Sequence, residues 1–439
     1  MAGIFKAYDI RGIYGKSLTE DVAFKIGRAL ATFLKCRKVV VGRDMRPHSV
    51  PLAEALMHGL RMQGADVVEI GLCSTPMSYY ANGVLGADAS VMITASHNPG
   101  EWNGFKLCRE QAIPVSGATG IPQIEQIVLT GAFAPAALVA GKRSTYDILP
   151  EYATHVRRMA HMRRPVRIAA DMANAMGIYE AKTLIGLLEI VPLFDTLDGT
   201  FPNHEANPLK EETLHALQAT LRGGSFDFGV AFDGDADRAG FVDEKGDVVA
   251  MDMITALIAQ DLLAQDKGVI FYDLRSSWAV KEVIEENGGT PMMSRVGHAF
   301  IKQQMREHQA IFAGELSGHY YFRDNCFTES SAMATLCVAN IVSKSAKPLS
   351  ELIAPIRRYF ASGEINSEVH DPAAALERVK QRYADGKLIT LDGVSVEYQD
   401  WWFNVRASNT EPLVRLNVEA RTRQQMELKR DELLDQIRQ

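Results

Sequence analysis

The chain has 439 residues, 47% of them hydrophobic and 23% charged, with a formal net charge of −7. At about 150 residues per domain this predicts about three domains, with two or four also compatible, and the acidic balance argues against a general nucleic-acid binder, which must neutralise phosphates. The five cysteines (Cys36, Cys73, Cys108, Cys326 and Cys337) include no CxxC pair, so neither a zinc site nor a disulfide framework is expected, and a reduced, cytoplasmic protein is.

The opening segment "MAGIFKAYDIRGIYG" carries charged and turn residues and no apolar signal core, and it contributes Tyr8 and Arg11. No apolar run reaches the ~18 residues of a membrane span, so no membrane partner is expected. Strand-like apolar runs then alternate with helix-like stretches, the pattern of an α/β fold.

In chain order one pattern occurs three times. An apolar run ends in an aspartate: Asp44 in "VVVGRDMRP", Asp171 in "VRIAADMANAMG", Asp273 in "GVIFYDLRSSW". A helix-like stretch and a second strand follow: "GADVVEIGLCSTP", "LEIVPLFDTLDG", "GGTPMMSRVGHAF". A third strand then enters a polar loop: "TASHNP", "DGDADR", "GELSGH". The order of elements repeats, although residue identities and spacings do not. This predicts three similar mixed α/β domains, residues 1–147, 148–246 and 247–357. Ligands of such sheets bind beyond the carboxyl ends of strands, so the three loops are expected to share a central cleft. From about residue 358 to 439 the texture changes to antiparallel strands and a final amphipathic helix, predicting a smaller α+β domain.

The loops carry the chemistry. In "FDGDADR", Asp233, Asp235 and Asp237 alternate directly after an apolar strand. Three carboxylates so close repel one another, and hard oxygen donors in this number suit Mg²⁺. With Glu244 they also fall at positions 1, 3, 5 and 12 of an EF-hand loop. Position 6, however, is Arg238 rather than a glycine, and the flanks read as strands. In "TASHNP", Ser96 ends a strand outside any G-x-S-x-G elbow, and His97 is too near in sequence to serve readily as its base. Read alone, this is turn chemistry. A phosphorylated Ser96 beside a metal, with Lys106 returning positive charge, would be a phosphoryl donor.

"GELSGHYYF" offers Glu315, Ser317 and His319, a carboxylate and hydroxyl for sugar hydroxyls and a histidine for proton movement. "SRVGHAFIK" adds His298 and Lys302, and "YDLRSSW" adds Arg275. "VRASNTEPLVRL" sets Arg406 and Arg415 around Ser408, Asn409 and Thr410, a suitable phosphate cradle.

Taken together, "TASHNP", "DGDADR", "GELSGH" and "RASNTEP", in that order, resemble the α-D-phosphohexomutase family, in particular its bacterial phosphomannomutase/phosphoglucomutase branch. The resemblance implies four domains around a cleft and an enzyme that moves a phosphoryl group between the 1- and 6-positions of mannose or glucose phosphates. It implies phosphoserine at Ser96, with Mg²⁺ held by Ser96, Asp233, Asp235 and Asp237, and a hexose 1,6-bisphosphate as intermediate and activator. Arg11, Lys106, His298 and His319 would stabilise charge and move protons. Tyr8, Arg238, Arg275, Glu315, Ser317, His319, Arg406, Ser408, Asn409, Thr410 and Arg415 would hold the sugar phosphate. Two positions depart from the family pattern. Ala236 replaces a common glycine, and Arg275 stands where many relatives have lysine, with a different hydrogen-bond geometry. Leu316, after Glu315, resembles the mannose- and glucose-acting enzymes.

Two other readings are available to the same residues. Asp233 and Asp235 form a D-x-D pair after a strand, as in phosphatases that work through an aspartyl phosphate. A calcium-binding or sugar-phosphate-sensing protein would retain the loops without turnover.

Overall fold

A computed structural model describes residues 3–407 and 413–438. Its strands form four sheets, and the first three share one plan. The first contains β1 (Ile10–Ile13), β2 (Lys38–Arg43), β3 (Asp66–Leu72), β4 (Ala89–Ile93), β5 (Trp102–Arg109) and β6 (Arg143–Thr145), in the order β1-β5-β4-β2-β3-β6. The second contains β7 (Arg167–Asp171), β8 (Glu189–Leu193), β9 (Phe228–Phe232), β10 (Ala239–Asp243) and β11 (Val248–Val249), ordered β11-β10-β9-β7-β8. The third contains β12 (Val269–Asp273), β13 (Thr290–Ser294), β14 (Phe312–Gly314), β15 (Tyr320–Phe322) and β16 (Thr328–Glu329), ordered β13-β12-β14-β15-β16.

In each, the strand leading to the repeated aspartate lies between two parallel neighbours: β2 between β4 and β3, β7 between β9 and β8, β12 between β14 and β13. An antiparallel strand then extends each sheet beside β4, β9 and β14. The repeat anticipated from the order of elements is thus a repeat of sheet topology. Its three polar loops leave β4, β9 and β14, the equivalent strand of each sheet. These strands read as largely apolar runs because both faces are covered; Ala89–Ile93 and Phe228–Phe232 are buried at every position.

One apolar cluster runs through all three units, joining Val40 and Met77, Ile168 and Phe228, and Ile270 and Phe312. The fourth sheet has its own core around Val396, Phe403 and Leu416. It consists of β17 (Phe360–Ala361), β18 (Ile365–Glu368), β19 (Lys387–Ile389), β20 (Val394–Glu397), β21 (Trp401–Ala407) and β22 (Leu413–Ala420), all antiparallel, and the closing helix is Arg423–Ile437. The fold class is therefore three mixed α/β units plus an α+β unit, as the sequence predicts. No helix among the described residues is long and apolar enough to cross a membrane.

Candidate active site

The serine loop is shaped from beneath. Ser96 has a φ of +52°, a left-handed conformation that a non-glycine residue keeps only when its surroundings impose it. Thr94 Oγ1 accepts from Ser96 N at 2.9 Å. Arg46, 1% exposed, donates to the carbonyls of Ser96, Asn98, Pro99 and Trp102 at 3.0, 2.7, 2.6 and 2.9 Å, and pairs with Asp44 at 3.1 Å. Replacing Arg46 with Met should remove the guanidinium donor from four carbonyls and the counter-charge from buried Asp44, and destabilise the protein by about 3–5 kcal/mol. Chemical denaturation of the variant checks this.

The aspartate loop closes over the serine. It joins β9 to β10 in an antiparallel hairpin, so strands flank it as expected and an EF-hand is ruled out. Ser96 Oγ donates to Asp233 Oδ2 at 2.9 Å, and Arg238 N donates to Asp233 Oδ1 at 3.2 Å. Gly234 allows the approach: a Cβ there would lie 2.2 Å from the Ser96 carbonyl oxygen. His97 Nδ1 stands 3.2 Å from Ser96 Oγ, closer than sequence adjacency suggested, because the left-handed turn at Ser96 folds the ring back. Arg238 and burial hold His97 well below the usual histidine range.

All three aspartates are buried, and one ligand atom from each lies within 4.8 Å of the others. Burial and the Asp237 and Asp235 carboxylates push Asp233 well above the usual range. Asp237 goes the other way: burial opposes its charge, but Lys106 and His319 outweigh burial. The Lys106 ammonium contacts both Asp235 and Asp237, and Thr75 Oγ1 donates to Asp235 Oδ2 at 2.6 Å. Asp235 Oδ1 is buried without a hydrogen-bond partner among the described residues. An orphaned oxygen in a mutually repelling carboxylate cluster fits a hard divalent cation.

The third loop meets the same cluster. His319 Nε2 lies 3.4 Å from Asp237 Oδ1, and its Nδ1 lies 3.2 Å from Glu315 Oε2 and 2.9 Å from Ser317 Oγ. Burial and Arg238 pull His319 down, but Asp237 and Glu315 outweigh them and hold it at about 9. Tyr321 OH and Gly297 N donate to Glu315 at 2.5 and 3.2 Å. His298 is held well below the histidine range by burial and by Lys302. Its ring lies 5.6 Å from that of Tyr8, whose hydroxyl donates to the Val296 carbonyl. Arg11, on β1, pairs with Asp9 at 2.7 Å and donates to Asn98 Oδ1 at 2.5 Å, beside the serine.

The fourth unit reaches the cleft through charge. Glu364 accepts from Arg406 at 2.6 Å and from Arg415 at 3.3 Å, and Arg275 of the third unit lies 3.6 Å away, itself paired with Asp273 at 2.7 Å. Ser408, Asn409 and Thr410 lie outside the described residues. Arg275, Leu316, Ser317, Glu364, Pro208 and Met251 line a cavity of about 550 Å³ between these loops.

Arg46, Thr75 and Glu364 escape the sequence reading because none belongs to the three polar loops or the arginine loop that carry the chemistry. Arg46 had one signal, since it follows the repeated aspartate Asp44 by two residues, as Arg275 follows Asp273.

Four units that each bring charged or polar side chains to one cleft define a multidomain enzyme with a buried acidic site. Comparison with known proteins gives the family. Residues 2–135, 150–246 and 250–359 match the descriptions "Phosphoglucomutase/phosphomannomutase, alpha/beta/alpha domain" I, II and III, and residues 364–436 match the C-terminal domain of the same set. The chain is 40% identical over 431 residues to a phosphomannomutase of Escherichia coli K12, covering 95% of this chain and 94% of that one. It is 39% identical to a phosphomannomutase of Methanocaldococcus jannaschii, covering 99% and 97%. A crystal structure of a phosphoglucomutase/phosphomannomutase family protein from Burkholderia thailandensis superposes with a TM-score of 0.92 at 32% identity, covering 99% and 96%. The chain belongs to the phosphoglucomutase/phosphomannomutase family.

Proposed function

We propose that this enzyme interconverts the 1- and 6-phosphates of mannose or glucose through a phosphoserine at Ser96 and a hexose 1,6-bisphosphate that turns around in the cleft. The observation that carries this reading is the 2.9 Å contact between Ser96 Oγ and Asp233 Oδ2, inside a buried set of three carboxylates. Asp233, Asp235 and Asp237, with Ser96, would hold Mg²⁺, which when bound polarises the phosphoryl group and neutralises its charge. The same contact argues against an aspartyl phosphate, because both Asp233 oxygens already accept hydrogen bonds, from Ser96 and from Arg238 N.

In the first half-reaction the bond from the Ser96 oxygen to phosphorus breaks as the free sugar hydroxyl forms its own bond to phosphorus. The hydroxyl's proton leaves to a base, and His298, kept neutral, is in the state that accepts one. Arg11 and Lys106 supply positive charge beside the serine. Glu315 and Ser317 orient the sugar hydroxyls, while Arg406, Arg415 and Arg275 hold the phosphate that is not being transferred. One donor and one cradle serve both ends of the sugar because the bisphosphate reverses between half-reactions, so both steps use a single preorganised site. The cysteines are free, and we assign the reaction to the cytoplasm.

Turnover of mannose 1-phosphate, glucose 1-phosphate and glucosamine 1-phosphate, with Mg²⁺ and a hexose bisphosphate activator, tests the substrate. Activity on the first two and little on the third is expected. Preference for the amino sugar would overturn the assignment. Replacing Arg406 with Ala should raise KM for the preferred sugar phosphate by about 10²-fold with a smaller effect on kcat, since a buried guanidinium that grips a distal phosphate contributes equally to ground and transition states. Steady-state kinetics of the variant decide this.

A further inference from the structure

Behind the aspartate loop lies a buried carboxylate that the mechanism does not use. Glu180, fully buried, sits on the helix Gly177–Leu184 of the second unit. It accepts from Ser74 Oγ, from Tyr152 OH at 3.0 Å and from Ala332 N at 3.3 Å. Ser74 is the N-cap of the helix Thr75–Val84 in the first unit. Ser330, whose Oγ lies 3.0 Å from Tyr152 OH, is the N-cap of the helix Ser331–Lys344 in the third. One carboxylate therefore ties together the N-termini of two helices from different units, where their dipoles favour negative charge.

The residue after each of those caps holds the aspartate loop. Thr75 N and Oγ1 donate to the Asp235 carbonyl and carboxylate at 2.9 and 2.6 Å. Ser331 Oγ donates to the Ala236 carbonyl at 2.7 Å. From Glu180's own segment, Met176 N donates to the Gly234 carbonyl at 3.3 Å. Three consecutive loop residues are gripped by three segments that Glu180 fastens to one another.

We propose that Glu180 is a positioning residue for the metal-binding loop: it fixes the relative placement of Thr75, Ser331 and Met176, and through them the aspartate geometry that a divalent cation requires. Partners outside a metal's own ligands commonly change its affinity by about 10- to 100-fold. Burial pushes the Glu180 carboxyl up to about 7 while its three donors favour the carboxylate, so the test is made at pH 8.

The proposal rests on the metal reading above, and Mn²⁺ binding to the full chain, followed by electron paramagnetic resonance, separates the two. Failure of the unaltered protein to bind Mn²⁺ sinks the metal reading itself. If it binds, Glu180→Gln should weaken Mn²⁺ by about tenfold with little change in melting temperature, and excess Mg²⁺ should restore kcat, which a general loss of structure would not permit. Unchanged Mn²⁺ affinity in the folded variant overturns the proposal alone. Should Glu180→Gln fail to fold, Tyr152→Phe, which removes a single bond to the carboxylate, should weaken Mn²⁺ by about threefold, and an unchanged value there overturns it equally.

Discussion

Replacing Ser96 with Ala should lower mutase turnover by about 10³-fold or more, since an enzyme that loses its covalent carrier keeps only binding and charge stabilisation. The fold should survive. Among the described residues Ser96 Oγ hydrogen-bonds only Asp233 and His97, and the loop is held by its backbone carbonyls through Arg46. Substrate affinity should change little, because the cradle arginines are untouched. Peptide mapping by mass spectrometry of the unaltered protein should find phosphate on the peptide containing Ser96. Near-normal turnover in the Ala variant, or phosphate on Asp233 instead, would falsify the phosphoserine mechanism.

Exhaustive chelation should reduce turnover by about 10³-fold, with Mg²⁺ restoring it. Metal polarisation contributes several kcal/mol to the transition state, and each ~1.4 kcal/mol is tenfold in rate. The sign of the stability effect follows from binding to the folded state alone. A cation at a hundred times its dissociation constant adds about 2.7 kcal/mol, so Mg²⁺ should raise the melting temperature. The rise should be moderated by Lys106, which already compensates Asp235 and Asp237. Calorimetry with and without Mg²⁺ measures it, and turnover indifferent to chelation would remove the metal from the reaction.

Arg46→Met and Ser96→Ala also separate two contributions to the serine loop. The first removes the framework and should lower stability and activity together, whereas the second removes the reacting atom and should spare stability.

The chemistry was legible in the sequence wherever it sat in a loop that interrupts an apolar strand. "VMITASHNP" and "GVAFDGDADR" announce themselves because a strand buried on both faces is dominated by apolar residues, so a run of polar residues marks the strand's carboxyl end. The three-fold repeat was legible for the same reason. The order of elements along the chain could be read from local hydrophobicity, whereas the common sheet order β4-β2-β3, β9-β7-β8 and β14-β12-β13 is seen only in the structure.

Other features have little or no local signature. Arg46 and Glu364 look like surface charges, yet the first is sealed beneath the serine loop and the second joins Arg406 and Arg415 to Arg275. Glu180 reads as an ordinary helix glutamate until two helices from other units bring their N-termini to it. Lys106 was expected to serve a phosphate and is found against two aspartates. The sequence by itself determined which residue types could perform the chemistry and the strand ends that present them, because those depend on neighbours along the chain. Tertiary structure alone decided which charges face one another, because the energy of a buried charge depends on groups brought within a few ångströms by folding, here from positions as far apart as Thr75 and Asp235.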